Sequence, residues 1–148
     1  MSMVVDENEF PHVRVYLATQ DGENDVPGLV KLWKKKYDDA IDFSFCFHTK
    51  HLVFPKLSDI RDLENFIKQQ KKLPYQYLQY SIIIISGNVI RSATKFLFSI
   101  TKPMSTVFLV KDEVKARELN KLIIRNGRDS NFIKTYVKMN KTVSRLNP

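Results

Sequence analysis

Four consecutive isoleucines, Ile82 to Ile85, run into Ser86-Gly87-Asn88. A β-branched run without polar alternation offers no side to water, which suits a strand buried on both faces of a sheet. An amphipathic stretch follows from Asn88 to Thr101, with Ile90, Ala93, Phe96, Leu97 and Ile100 at helical spacing. After Lys102-Pro103 comes a second apolar run, Val107-Phe108-Leu109-Val110. From Tyr80 to Val110 the chain therefore predicts a βαβ unit with parallel strands.

The flanking sequence extends that pattern. Val13, Val15 and Leu17 alternate with His12, Arg14 and Tyr16, as in a half-buried strand. Pro27 suits a first helical turn, and Leu29, Leu32, Trp33 and Tyr37 form the inner stripe of a helix over Gly28–Ala40. Phe43, Phe45 and Phe47 alternate with Ser44, Cys46 and His48, which predicts a strand with an aromatic inner face. Ser58 is placed to cap a helix carrying Ile60, Leu63, Phe66 and Ile67, ended near Pro74. A helix from Lys111-Asp112 should stop at Asn126-Gly127, and a last helical segment spans Asp129–Val143. This order predicts an α/β fold with a four-stranded, mainly parallel or mixed sheet flanked by helices. The domain should cover residues 12–125, with the first strand at an edge. A flexible arm is expected over 1–11 and a basic helix or tail over 126–148.

The stretches VRVYLA, DFSFCFHTKHL, LENFIKQQKKL and above all IIIISGNVIRSATKFLFSITKPMSTVFLVKD carry a likeness to a known family. In the order of its elements, over residues 12–125, the chain resembles the STAS domain (the anti-sigma-factor-antagonist fold) and the related SpoIIAA-like domains. The resemblance implies a non-catalytic module that works by binding. Some members switch partners by phosphorylation of a Ser or Thr in the loop before the second helix, and some relatives bind lipid or nucleotide. Here that loop reads HTKHLVFPKLS, with His48-Thr49-Lys50 where phosphorylated members show an Asp-Ser pair. Thr49 and Ser58 are the hydroxyls left for such a modification.

Catalytic signatures are missing. There is no G-x-S-x-G, Walker or dinucleotide motif, so neither an enzyme nor a cofactor is expected. His48 and His51 lie three apart, too few ligands for a closed metal site. Cys46 shares a strand side with His48, but helices on both faces of such a sheet make it an inert core thiol. Ser86, Gly87 and Asn88, at a strand-to-helix junction, form a candidate anion site or simply a helix cap. The single cysteine rules out an internal disulfide and fits a reducing compartment. With no membrane-length apolar run, the expectation is an intracellular protein, soluble or peripheral, cytoplasmic or in a virion.

Charge gives the most pointed signal. Residues 1–42 hold five basic and nine acidic side chains, whereas residues 120–148 hold seven basic and one acidic. In that last part Arg125, Arg128, Lys134, Lys138, Lys141 and Arg145 are interleaved with Phe132 and Tyr136. Cations beside aromatics suit an acidic protein groove, acidic lipid or a phosphate backbone. The leading expectation is a non-enzymatic interaction or structural module acting as a component of a larger assembly. The alternatives are a peripheral protein of anionic membranes and a nucleic-acid-binding protein.

Overall fold

The computed structural model describes residues 3–18, 25–50, 56–85, 87, 91–92, 94–95, 98 and 102–148. Six strands form one mixed sheet: β1 (Val4–Asp6), β2 (His12–Tyr16), β3 (Phe43–His48), β4 (Leu78–Ile84), β5 (Thr106–Val110) and β6 (Ser144–Leu146). Their order across the sheet is their order along the chain. β2 to β5 are parallel, while β1 pairs antiparallel with β2 and β6 antiparallel with β5. The parallel four-strand centre is the expected one, and the two edges are additions to it. Residues 1–11, expected as an arm, supply β1, and residues 126–148, expected as a basic helix or tail, supply a helix and then β6. The first predicted strand, β2, is therefore interior, and its polar side is covered too: His12 and Arg14 are both buried.

Among the described residues, four helices of defined bounds accompany the sheet: α1 (Val26–Asp39), α2 (Leu57–Gln70), α3 (Glu113–Asn126) and α4 (Asn131–Met139). Residues 91–92, 94–95 and 98 are helical as well. Right-handed crossovers that always step to the next strand put their helices on one face. Trp33 and Tyr37 of α1 and Phe66 and Ile67 of α2 accordingly pack on Val13, Val15, Phe43, Phe45 and Phe47. Trp33 meets Phe45 and Phe66 edge-on, each at 5.3 Å between ring centres, the arrangement aromatic quadrupoles favour. The handedness rule does not bind the antiparallel β5–β6 connection, and its helices α3 and α4 lie on the other face. There Ala116, Leu119, Ile123 and Ile133 cover Cys46, Tyr80, Ile82, Ile84, Phe108 and Val110. The isoleucine run divides as its composition requires, with Ile82 and Ile84 toward α3 and Ile83 toward the α1–α2 core.

Helix ends follow their local chemistry. The Asp25 carboxylate accepts the Gly28 N–H at 3.0 Å with Pro27 in the first turn, so α1 starts before the expected Gly28. Asp112 caps α3 by accepting the Lys115 N–H at 2.8 Å, and Gly127 ends it at φ 89°, a conformation open to glycine. Ser58 is not the cap of α2: the helix begins at Leu57, and Lys56 precedes it without a side-chain cap bond. Ser58 lies exposed in the first turn.

Candidate functional site

Ser130 opens α4, its hydroxyl accepting the Ile133 N–H at 3.2 Å. Ile133 is fully buried against the sheet, with Tyr136 and Val137 partly buried beside it. Helical geometry then fixes what faces away. Phe132 and Met139, seven residues apart, share one outer stripe, and Lys134 and Lys138, four apart, share a second one beyond Thr135. Phe132 is 53% and Met139 78% exposed. Lys134, Lys138, Lys141 and Arg125, at the end of α3, are exposed too. The exposed side of the helix thus carries an apolar stripe on one flank and a lysine stripe on the other, while its remaining side is packed on the sheet.

The remaining members of the basic segment are held within the protein. Arg145 donates to the Arg128 carbonyl at 2.7 Å and to Asp129 at 2.5 Å, and its guanidinium lies 5.4 Å over the Phe108 ring. Arg128 donates to Gln79 at 2.9 Å. The Tyr136 hydroxyl donates to Glu118 at 3.0 Å, and Lys115 approaches both groups. The Lys115 ammonium holds the Glu118 carboxyl below its ordinary range, while burial and then that carboxylate raise the Tyr136 phenol. The fold thus divides the eight residues read from sequence. Arg125, Phe132, Lys134, Lys138 and Lys141 face outward; Arg128, Tyr136 and Arg145 stitch α3, α4 and β6 together.

Of the candidate anion site, Ser86 and Asn88 lie outside the described residues. Gly87 is exposed, and its carbonyl accepts the Arg91 N–H at 3.1 Å. Thr49 is buried and donates to the Ile84 carbonyl at 2.6 Å, tying the end of β3 to β4. Ser58, by contrast, lies exposed. His51 falls outside the described residues. Burial pushes the Cys46 thiol up to about 12, which removes thiolate chemistry at neutral pH. Among the described residues no group of three His, Cys, Asp or Glu side chains is placed to hold a metal ion, and no helix is long and apolar enough to cross a membrane.

A charged cluster on the β2–β3 surface has no local signature in the sequence. Arg14 is buried and pairs with Glu113 at 2.5 Å, with Glu9 3.8 Å from its Nε. Arg117 joins both carboxylates, at 2.8 Å to Glu113 and 3.3 Å to Glu9. Nε2 of His48 lies 3.1 Å from Arg14, and its ring stacks on Tyr16. Alongside, the His12 ring bonds the Ser44 hydroxyl at 2.6 Å and lies near Tyr80. Desolvation by burial lowers His12 to about 4 and lowers His48 as well. Both are therefore neutral at neutral pH. With Arg14, Arg117, Glu9 and Glu113 paired to one another, the cluster clasps the start of α3 and the 7–11 segment onto the sheet. Arg14 could have been suspected from its place among valines; Glu113, 99 residues away, could not.

Set against protein-family models, curated proteins and solved structures, the chain gives no match.

Proposed function

We propose that the protein is a non-catalytic interaction module, a component of a larger assembly, that docks onto an acidic surface of a partner protein through the outer face of α4. The observation that carries this is Phe132 and Met139 standing in solvent on one flank of an exposed helix face whose other flank carries Lys134 and Lys138, on a helix that has already buried Ile133. Interfaces are built this way, with a few large apolar anchors surrounded by polar and charged side chains. The cations select an acidic partner and steer its approach. Two further points support the reading: the STAS-like order of elements belongs to modules that bind, and the Arg14 cluster pairs its charges internally.

The test is photo-crosslinking in native extract from position 139, with position 69 on exposed α2 as the control site. Adducts with acidic proteins from position 139 and not from 69 are the expected result. Replacing Phe132 and Met139 by alanine should weaken capture tenfold or more, the effect of losing a central anchor. Sedimentation with phosphatidylserine vesicles and titration with duplex DNA at two salt concentrations are the competing arms. Tight vesicle binding, or DNA binding with a steep salt slope, together with no position-139 adduct, would replace this reading with the membrane or nucleic-acid one.

A further inference from the structure

On the opposite face, between the sheet and its helices, lies a cavity of about 140 Å³. Its wall includes Trp33 of α1, Leu63 and Ile67 of α2, Phe47 of β3, Ile83 of β4 and Ser105 just before β5. Protein interiors pack as densely as organic crystals and seldom keep voids larger than a water molecule. A pocket of this size, open on one side and lined mainly by apolar side chains, is an exception. Water fills such a place poorly, since it needs two to four polar partners, whereas dry cavities of about 150 Å³ take up benzene.

The wall is mainly apolar, with hydroxyls at Thr49, Ser81, Thr94 and Ser105. The Ser105 hydroxyl is buried and has no hydrogen-bond partner. A buried hydroxyl left unpaired is costly and uncommon. Thr49, also in the wall, has its own hydroxyl satisfied by Ile84. The indole N–H of Trp33 is unpaired as well. Ligand pockets likewise combine apolar walls with a small number of placed polar groups.

We infer that this cavity binds a compact, mainly apolar molecule about the size of a substituted benzene, carrying one oxygen that hydrogen-bonds the Ser105 hydroxyl. The site is separate from the α4 surface and would operate whether or not that surface docks a partner. Trp33 is the one tryptophan of the chain, so its indole N–H resonance is a reporter built into the wall. Benzyl alcohol and toluene, nearly alike in size, are the probes for titration of the full chain by ¹H–¹⁵N NMR. Both should shift the Trp33 signal saturably, with benzyl alcohol bound more tightly. Ser105→Ala should weaken benzyl alcohol about threefold to tenfold, the worth of one hydrogen bond, and leave toluene within about twofold. Leu63→Phe, which fills the space, should weaken both; should that variant fail to fold, the Ser105→Ala comparison decides alone. No saturable shift with either probe, or a benzyl alcohol preference that survives Ser105→Ala, overturns the proposal.

Discussion

Burial holds the His12 imidazole at about 4 in place of its ordinary 6.5, and the Arg14 charge acts in the same sense. In the unfolded chain that histidine takes up a proton near pH 6.5, while in the fold it resists until near pH 4. The unfolded state thus binds more protons in this window, so stability falls as pH drops from 6.5 toward 4 and levels off below. The loss is on the order of 3–4 kcal/mol at most, from the fall of 6.5 to about 4 at about 1.4 kcal/mol for each pH unit. His48, also lowered, adds to it with the same sign. Urea unfolding at pH 7.5 and pH 4.5 should show this loss, and His12→Gln should flatten much of it. Cys46 supplies a second check. With its thiol near 12 and buried, it should react with a thiol reagent at pH 8 at least about a hundredfold more slowly in the folded protein than in guanidinium. A fast native reaction would mean that the β3 surface opens readily.

Within α4, neighbouring residues should behave in opposite ways. Ile133→Ala removes a fully buried side chain between helix and sheet and should cost about 2–5 kcal/mol in denaturant unfolding. Phe132→Ala, one residue away but exposed, should stay within about 0.5 kcal/mol. Ser130→Ala loses the cap and should cost about 1 kcal/mol. The α4 segment was legible beforehand because a buried residue every third or fourth position leaves a period in the sequence. Gly127 and Asp112 were legible because backbone conformation and capping limit the residue type. Three-residue strands such as Val4–Asp6 and Ser144–Leu146 are too short to show a period of two. They become strands because β2 and β5 offer unpaired edge groups, a property of the sheet and not of the segment. The candidate surface was half legible for a related reason. Sequence shows where the cations are, but which of them the fold keeps for itself, as with Arg128 and Arg145, depends on groups brought near by folding.

For the molecule as a whole, the antiparallel edge strands protect the apolar parallel centre. Removing residues 141–148 takes away β6 and the buried Val143 and uncovers one edge of β5, whose residues are all buried. Such a truncation should lower the melting temperature and promote aggregation through the bare edge, measured by thermal unfolding and light scattering. The same sheet has a consequence for how the chain reaches its native state. Because strand order is chain order, no strand must wait for a later one to be inserted beside it. Each βα unit emerging from the ribosome finds its neighbour already made, so the protein can assemble by successive addition from β1 toward β6, with short loop closures throughout.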